Sequence, residues 1–435
     1  MKFYSTNKNS KEVSFKEAVI KGIADDGGLF MPASLPTLPK KFLDNIEKLS
    51  FHEICFEVAN IIIGDEIPSK DLQLIIDRSI NFDAPIINLN ENIKILELFH
   101  GPTLAFKDFG ARFMADVVSY FSNENRQDIT ILVATSGDTG SAVANGFLNM
   151  EGIKVYLLYP GGKVSYIQEM QLTTLNGNII ALEVEGTFDD CQRLVKQAFL
   201  DNDLTKALFL SSANSINIAR LLPQSFYYFN AYKQLHDKNK PLIFSVPSGN
   251  FGNLTGGLIA KKMGLPVNKF IAAVNSNNVF PNYLKTGKFI PKPSIKTISN
   301  AMDVGNPSNF YRILDLFNND WNKLKSEIES SSFSDESTKD AIKEICSKNN
   351  YLIDPHGAVG FLALEEYINK NRLESFNGII LETAHPAKFI DIMKGIIKEK
   401  IEIPERLDRS LHKEKRAIKM SNNFKDFKGF LLEQT

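Results

Sequence analysis

Lys107 is the residue whose setting most suggests chemistry. It lies in HGPTLAFKDFGARFMADVVSYF, where Phe109, Phe113 and Val117 recur at intervals of four and predict an amphipathic helix from residue 108 onward. An ammonium at a helix start faces the positive end of the helix dipole, and apolar neighbours disfavour its charge. A neutral lysine can attack an aldehyde to form a Schiff base. A solvent-facing lysine offset by Asp108 explains the segment equally well, so this segment alone leaves both interpretations open.

A glycine-rich turn follows the apolar run LIFSVP. The segment 245–253, SVPSGNFGN, leads into the helical pattern LTGGLIAKKMG. A strand, a glycine turn and a helix start together expose backbone N–H groups that can hold a phosphate. The turn lacks the GK[ST] of a Walker loop and the GxGxxG of a dinucleotide fold, and on its own it is equally a plain connection. Together with a Schiff-base lysine, it indicates a phosphorylated aldehyde cofactor.

Two further polar clusters could bind a substrate. TSGDTGS, residues 135–141, follows an apolar run and opens a helical pattern, and its hydroxyl and N–H groups could bind an amino-acid carboxylate. A helix N-cap explains this cluster as well. Donors at Asn214, Asn217 and Arg220 are spaced to share one helical face, which suits a substrate phosphate. An N-cap and a surface arginine are the alternative for these three.

Thr383 and His385 end the last apolar run. Thr383 offers a hydroxyl at the end of a buried strand, where a cofactor ring could lie. His385 lies outside any HExxH pattern, so we interpret it as structural rather than as a metal ligand or base. No metal site is predicted.

These residues lie at the ends of short β-rich runs that alternate with helical patterns. Such alternation predicts βαβ units and a largely parallel sheet, where ligands bind at the carboxyl ends of the strands. Residues 320–350 are predicted to form a surface helical pair broken by a Ser-rich turn, and 405–419 a solvated helix rather than a nucleic-acid site. The β-rich runs are ITILVAT (129–135), IKVYLLYP (153–160), NIIALEVEG (178–186), LIFSVPSG (242–249), FIAAVNS (270–276) and GIILETAH (378–385).

Composition excludes several functional classes. The length of 435 residues predicts two or three domains. The 50 Lys plus Arg and 51 Asp plus Glu residues give a net charge of −1. There is no overall field to attract nucleic acid or an anionic membrane. The three cysteines are far apart without a CxxC pair, which fits a reducing cytoplasm better than disulfides or zinc. A polar N-terminus and short apolar stretches predict neither a secretion signal nor a membrane span, hence a cytoplasmic location.

In combination, six segments resemble the threonine synthase family of fold-type-II pyridoxal phosphate enzymes, in its longer branch. The resemblance covers nearly the whole chain and is carried by HGPTLAFKDFGARFMA, TSGDTGSA, SSANSINIAR, VPSGNFGN, AMDVGNPSN and TAHPAKF. It implies an α/β fold with two open, mainly parallel twisted sheets flanked by helices, plus an N-terminal extension. The implied division is an N-terminal region at 1–95, a large cofactor-binding domain at 96–127 and 223–400, a small α/β domain at 128–222, and a helical tail at 401–435.

The resemblance also implies roles for individual residues. Lys107 would carry pyridoxal 5'-phosphate as a Schiff base, and Thr383 would face the pyridine nitrogen. The cofactor phosphate would be bound by Gly249, Asn250, Phe251, Gly252 and Asn253. The substrate carboxylate and the cofactor ring face would contact Ser136, Asp138 and Thr139, and the substrate phosphate would contact Ser215, Asn217 and Arg220. The sequence departs from the family pattern at Asn253, where many relatives have Asp, and at Glu382, where Gly is common.

The implied reaction converts O-phospho-L-homoserine and water to L-threonine and phosphate. Another fold-type-II lyase, such as a threonine dehydratase or a phospho-lyase, would share the lysine and the glycine loop but would need no site for a phosphate on Cγ. A catalytically inactive binding protein on the same fold is the alternative from a different class. The family also implies a monomer, with a homodimer as the other option, and no nucleic-acid or membrane partner.

Overall fold

A computed structural model describes residues 1–125 and 128–434. Side chains are described throughout these ranges except at 123–125. The strands are β1 (Phe3–Ser5), β2 (Phe30–Pro32), β3 (Ile86–Asn88), β4 (Ile93–Glu97), β5 (Ile129–Ala134), β6 (Ile153–Pro160), β7 (Ile179–Val184), β8 (Leu210–Ser212), β9 (Leu242–Pro247), β10 (Lys269–Val274), β11 (Ile328–Ser332), β12 (Asn377–Glu382) and β13 (Ile418–Met420).

The helices surround these strands, and short 3₁₀ turns include Asn300–Met302 and Pro386–Phe389. None of the helices within the described ranges is long and apolar enough to cross a membrane. The α-helices are α1 (Phe15–Lys21), α2 (Lys40–Asp44), α3 (Phe51–Ile63), α4 (Ser69–Ser79), α5 (Lys107–Asn125), α6 (Asp138–Phe147), α7 (Tyr166–Thr173), α8 (Phe188–Leu200), α9 (Asn202–Ala207), α10 (Ile218–Leu221), α11 (Phe226–Lys233), α12 (Gly252–Lys262), α13 (Val279–Thr286), α14 (Phe310–Leu316), α15 (Trp321–Glu327), α16 (Asp335–Asn349), α17 (Pro355–Asn371), α18 (Ile390–Met393), α19 (Glu405–Leu411) and α20 (Phe424–Glu433).

The larger sheet has the strand order β11-β10-β9-β12-β4-β3. All of its pairs are parallel except β3 with β4. β9 and β12 are buried along their whole length, as expected of central strands covered by helices on both faces. The carboxyl ends of β4, β9 and β12 therefore meet at one edge. This edge brings together the segment leading to Lys107, the glycine turn and Thr383.

The smaller sheet has the order β13-β7-β6-β5-β8 and is parallel throughout. β5 ends at Ala134, immediately before the TSGDTGS loop, and β8 ends at Ser212, immediately before the loop that contains Asn214 and Ser215. The second group of candidate residues thus sits at the carboxyl edge of this sheet, as the βαβ pattern predicted.

The N-terminal region packs directly on the rest of the protein. β1 and β2 form an antiparallel ribbon, and α1, α3 and α4 contribute to a hydrophobic core that also includes residues of both larger sheets. α3 begins at a capping box in which Ser50 and Glu53 satisfy each other's backbone N–H groups. The predicted boundary between residues 95 and 96 falls within β4, which spans Ile93–Glu97. The strand β3, which pairs with β4 in the large sheet, begins at Ile86 and thus lies in the predicted N-terminal region.

Two predicted segments have a different secondary structure from the one expected. The Ser-rich turn within 320–350 is strand β11, which pairs with β10 along the edge of the large sheet. Its serines are tolerated because an edge strand is half solvated, and Ser330 donates to the carbonyl of Ala272 at 2.6 Å. The helix predicted over 405–419 ends at Leu411, and Ile418–Met420 pairs with β7. The segment 401–435 is therefore not a purely helical tail, and its last residue lies outside the described part of the chain.

The proposed boundary between residues 127 and 128 falls next to residues 126 and 127, which are outside the described ranges. The remaining predicted strands and the helix that begins at Lys107 are confirmed, with ends within two or three residues.

The final helix closes the hydrophobic core of the small sheet. Phe427 is fully buried and belongs to a cluster with residues of β5, β6 and β7. We predict that Phe427→Ala lowers the free energy of unfolding by about 3–5 kcal/mol, because it leaves a cavity in that core. Thermal or denaturant unfolding measures the effect, and the exposed Lys425→Ala on the same helix serves as the control. Equal stability of the two variants would show that the helix is a detachable appendage.

Candidate active site

Lys107 begins α5 at the carboxyl edge of the large sheet. The preceding segment is fixed to the end of β12, since Phe106 N–H donates to the carbonyl of Thr383 at 2.9 Å and His385 N–H donates to that of Leu104 at 3.0 Å. The Lys107 side chain is 16% exposed, and its Nζ lies 3.6 Å from Asp138 Oδ2. Burial lowers the pKa of Lys107, and it outweighs the opposing attraction of Asp138. The sequence-based expectation of a lysine biased toward the neutral amine is thus supported by burial.

Asp138 lies at the start of α6 between two lysines. Its Oδ1 accepts from Lys388 Nζ at 2.8 Å and from Gln168 Nε2 at 2.9 Å, while its Oδ2 faces Lys107. Burial alone would raise the pKa of Asp138, but the charges of Lys388 and Lys107 hold it below the ordinary carboxyl value. Asp138 is therefore a buried, ionised carboxylate that links the small sheet to Lys107.

Lys388 is a site residue that the sequence analysis missed. It lies in the turn that follows Thr383, is only 1% exposed, and also donates to the carbonyl of Thr103 at 2.9 Å. A lysine is almost never buried without a charged or polar partner. Lys388 adds a second positive charge that lowers the pKa of Lys107 beyond the effect of burial. The signal in the sequence was a lysine inside the conspicuous segment TAHPAKF, but its partner is 250 residues away along the chain.

The glycine turn forms a cradle of backbone N–H groups. Residues 248–251 connect β9 to α12, and Phe251 adopts a left-handed conformation with φ of 58°. A Cβ on Gly249 would lie 2.7 Å from the carbonyl oxygen of Ala301, so only glycine fits there. Within the described chain, the N–H groups of residues 249–253 have no acceptor. Unpartnered donors at the start of a helix suit a phosphate.

The two asparagine side chains of this loop are already engaged. Asn250 donates to Ser215 Oγ and accepts from the N–H of Ser308, which ties the cradle to two neighbouring loops. Asn253 donates to the carbonyl of Pro247 at 2.7 Å and accepts from Leu254 N–H at 3.0 Å. A carboxylate could not make the bond to Pro247. The amide at 253 therefore shapes the loop, and its backbone N–H is the group left for a ligand.

The hydroxyls at two strand ends remain available. Thr383 is 6% exposed, and its hydroxyl has no hydrogen-bond partner in the described part of the protein. Ser136 is exposed and Thr139 is partly exposed, again with side chains that are unpartnered among the residues described. Thr135 instead closes the loop, because its Oγ1 accepts from the N–H groups of Gly137 at 3.0 Å and Gly140 at 2.8 Å.

The predicted common helical face of Asn214, Asn217 and Arg220 is wrong. Only Arg220 lies in α10, and Asn217 is the N-cap of that helix, which is the alternative that the sequence left open. Asn217 is fully buried, and its amide donates to the carbonyls of Val19 at 2.8 Å and Ser212 at 3.2 Å. Its side chain is thus committed to the fold.

Arg220 is buried rather than on the surface. It is 2% exposed, its Nη1 donates to the carbonyl of Ala213, and its Nε has no partner among the described residues. Burial lowers the pKa of Arg220 to about 10, opposed by the attraction of Asp108. Its positive charge also contributes to the lowered pKa of Lys107. Arg220 therefore supplies a buried positive charge close enough to Lys107 to affect its pKa.

Arg312 holds the loop that precedes Arg220. It is fully buried, and its guanidinium donates to the carbonyls of Phe30 at 3.0 Å and Ile216 at 2.6 Å, and to Asn309 Oδ1 at 2.8 Å. Burial lowers the pKa of Arg312 to about 9. All of these acceptors are neutral, so Arg312 joins the N-terminal region, the 214–217 loop and α14 without an ion pair among the described residues.

The arrangement fits a phosphorylated aldehyde cofactor. It provides a buried lysine with a lowered pKa, a glycine cradle with unpartnered N–H groups, and a free hydroxyl at the end of β12. These three features share one edge of the large sheet, and the loops of the small sheet face them through Asp138 and Ser215.

Comparisons with known proteins indicate a family of pyridoxal-phosphate-dependent enzymes. Three family profiles match in chain order: threonine synthase N terminus over residues 2–80, pyridoxal-phosphate dependent enzyme over 84–380, and threonine synthase, C-terminal over 357–431. Threonine synthase of Buchnera aphidicola subsp. Baizongia pistaciae is 44% identical over all of both chains. That of Escherichia coli strain K12 is 44% identical over 94% of both chains.

Solved structures give the same result. Threonine synthase from Escherichia coli has a TM-score of 0.94 at 42% identity over the whole of both chains. PLP-bound threonine synthase from Brucella melitensis has a TM-score of 0.92 at 32% identity over 100% of this chain and 99% of that one. Threonine deaminase isoform 2 from Solanum lycopersicum, at 16% identity and a TM-score of 0.57 over 84% of this chain and 92% of that one, shares the fold alone.

The fold and the lysine-and-cradle site define a pyridoxal-phosphate-dependent enzyme of fold type II. Within that class, the chain belongs to the threonine synthase family. The predicted family, α/β architecture and cofactor are confirmed.

The charge of Lys388 leads to a prediction about Lys107. Because Lys388 lowers the pKa of Lys107, Lys388→Met should raise it, and the pH at which Lys107 becomes reactive should shift upward. The measurement is the pH dependence of borohydride-trapped pyridoxal phosphate incorporation at Lys107 in the apo-protein. The exposed Lys394→Met is the matched control. An unchanged pH profile in Lys388→Met would refute this electrostatic link.

Asn217 provides a test of its structural role. We expect Asn217→Ala to destabilise the free protein by about 1–3 kcal/mol, since two buried carbonyls lose their donor. Thermal unfolding without substrate measures the loss. Unchanged stability with a raised KM would instead support the substrate-binding role that the sequence suggested.

Proposed function

We propose that this chain is a threonine synthase that converts O-phospho-L-homoserine and water to L-threonine and phosphate. The observation that carries the proposal is the buried Lys107, biased toward its neutral form beside the Asp138–Lys388 pair, at the same sheet edge as the glycine cradle. Full-length relatives of both sequence and structure named threonine synthase support the same reaction.

Seven residues would hold the cofactor: five in the cradle, Lys107 and Thr383. The N–H groups of residues 249–253 would bind its phosphate, Lys107 would hold it covalently, and the Thr383 hydroxyl would face its ring nitrogen. A hydroxyl there, rather than a carboxylate, leaves that nitrogen largely unprotonated. When bound, the cofactor acts as an electron sink that acidifies the protons near the substrate amine.

Lys107 would also move the protons of the reaction. When freed, Lys107 would be a neutral base that takes a proton from Cα, passes it on, and then takes one from Cβ, which would allow phosphate to leave from Cγ. One of these two protons would go to Cγ and the other to the departing phosphate. Water would then add with its hydroxyl on Cβ and its proton on Cα to give threonine. Lys388 supports this role, because its positive charge disfavours a second ammonium at Lys107.

The substrate's two anionic groups would be bound separately. Ser136 and Thr139, with the loop N–H groups, would bind the carboxylate, whereas the ionised Asp138 would repel it and is assigned to the two lysines. Ser215 and Arg220 would bind the phosphate, and the positive charge of Arg220 supports this assignment. We do not assign the Asn217 side chain to substrate, because both of its ends are occupied.

The lysine assignment is tested by Lys107→Ala. We expect a folded protein without the visible absorbance of lysine-bound cofactor and with threonine formation reduced about 10³-fold or more, since both attachment and proton transfer are lost. The assay measures threonine and phosphate from O-phospho-L-homoserine with and without added pyridoxal phosphate, and Lys394→Ala is the control. Retained absorbance and turnover would refute the assignment.

Product analysis and cofactor trapping distinguish threonine synthase from the alternative functions. Release of phosphate without threonine by the unsubstituted chain would favour a phospho-lyase. A colourless protein without a borohydride-reducible adduct would favour an inactive binding protein. The proposed monomeric state and cytoplasmic location, and the division into large and small domains, remain predictions from the sequence.

A further inference from the structure

Three ionisable side chains are buried behind the cofactor site. Glu382 is the last residue of β12 and precedes Thr383, while Asp354 and His356 lie at the start of α17, where Asp354 is the N-cap. Each is at most 1% exposed. None of them has a role in the reaction proposed above, so their burial calls for another explanation.

Glu382 and Asp354 are in direct contact. Asp354 N–H donates to Glu382 Oε1 at 2.6 Å. The other oxygen of each carboxyl group, Glu382 Oε2 and Asp354 Oδ2, is buried without a hydrogen-bond partner among the described residues. Two bare negative charges at this depth would repel strongly. One proton shared by the two carboxyl groups would relieve this repulsion, and burial together with the charge of Asp354 raises the pKa of Glu382 well above the ordinary value.

His356 determines which partner carries the remaining charge. Ala301 N–H donates to His356 Nε2 at 3.1 Å, so this nitrogen is unprotonated and Nδ1 bears the hydrogen. That N–H donates to Asp354 Oδ1, which also accepts from the backbone N–H of His356 at 2.7 Å. Two donors on Oδ1 favour an ionised Asp354, and the shared proton then belongs to Glu382.

The turn that His356 holds packs against the glycine cradle. A Cβ on Gly249 would lie 2.7 Å from Ala301 O and 2.8 Å from Met302 Cα, which shows how closely the two backbones approach. On the other side of the turn, Asp303 accepts from Thr297 Oγ1 at 2.7 Å and from Asn275 at 2.9 Å. The turn Asn300–Met302 is thus fixed at both ends, and any shift would move the phosphate cradle.

We propose that Glu382, Asp354 and His356 form a positioning unit that shares one proton and holds the turn Asn300–Met302 against Gly249, so that the cradle keeps the shape needed for the cofactor phosphate. The proposal rests on the proposed function only in taking the cradle as the phosphate site. These are positioning residues, since they act on the cofactor through the turn.

Other titratable groups surround the unit. Glu97 on β4 accepts from the Tyr351 hydroxyl at 2.8 Å and contacts His100 at 2.8 Å, so its charge has donors of its own. Burial lowers the pKa of His385 to about 4, which leaves it neutral around pH 7. Asp303 is held by Thr297 and Asn275 on the far side of the turn. None of these groups supplies the missing donor to Glu382 Oε2.

A double-mutant cycle of amide substitutions tests the shared proton. In Glu382→Gln or Asp354→Asn alone, the new amide supplies the N–H that the proton supplied, so cofactor affinity should stay within about twofold of the unsubstituted protein. In the double variant, the amide oxygen at position 382 accepts from the backbone N–H of residue 354, and the amide oxygen at position 354 accepts from His356. The two NH₂ groups are then left facing each other without an acceptor. We expect at least about tenfold weaker cofactor binding and a lower melting temperature of the free protein. Additive effects, or a double variant no weaker than the singles, would overturn the proposal.

Infrared spectroscopy of the cofactor-free protein provides a direct signature. The difference spectrum between the unsubstituted protein and Glu382→Gln at neutral pH should contain the carbonyl stretch of a protonated carboxylic acid, and its absence would overturn the shared proton. A pH series provides a further check. The pKa of Glu382 is raised above 4.5, the ordinary glutamate pKa, so this side chain binds a proton on folding. The free energy of unfolding should therefore fall as the pH rises above 4.5, and the fall should be smaller in Glu382→Gln.

His356→Leu tests the link to the cradle if the double variant does not fold. It removes the acceptor of Ala301 N–H, so we expect about tenfold weaker cofactor binding, with the carboxylic-acid band retained. The exposed His412→Leu is the control. Unchanged cofactor affinity in His356→Leu would overturn the positioning role, whether or not the unsubstituted chain makes threonine. The proposed function fails on a different result, namely that the unsubstituted chain forms no threonine from O-phospho-L-homoserine.

Discussion

The ion pair between Asp138 and Lys388 is the interaction on which the site depends. It crosses from the start of α6, at the edge of the small sheet, to the turn that follows β12 in the large sheet. Both side chains are almost fully buried, so their charges are tolerable only because each is surrounded by donors or acceptors. Gln168 and Lys107 complete the shell of Asp138, and the Thr103 carbonyl completes that of Lys388. Burial lowers the pKa of Lys107, and the positive charges of Lys388 and Arg220 lower it further against the opposing attraction of Asp138.

Regions far from the chemistry hold the loops of the site in place. The N-terminal region contains no cluster of reactive groups, yet its carbonyls at Val19 and Phe30 accept from Asn217 and Arg312. These two side chains fix the loop that leads to Arg220. An extension that looks dispensable in sequence thus supplies backbone acceptors for buried donors, which would otherwise be left unsatisfied.

The parts of the site that are local in sequence could be predicted, and those that depend on distant contacts could not. The helix from Lys107 and the cradle after β9 are encoded in continuous patterns, so their positions were predicted correctly. Lys388 and His356 gain their meaning from partners on other elements, which no pattern of spacing reveals. β11 and β13 were missed because edge strands pair on one side only, and their polar residues resemble turns and surface helices. The family resemblance supplied the reaction, whereas the burial of Asn217 and Arg220 had to come from the structure.

The contact between Gly357 and Glu382 constrains how this sequence can change over time. A Cβ at position 357 would lie 1.6 Å from Glu382 Oε2, so an alanine there would force the buried Glu382 side chain to move. Shortening the side chain at 382 would open the space and also remove the shared proton. The two positions are therefore epistatic, and the order of substitutions matters. A larger residue at 357 is accommodated most readily once the carboxyl at 382 is lost, and Asp354 would then need a different donor.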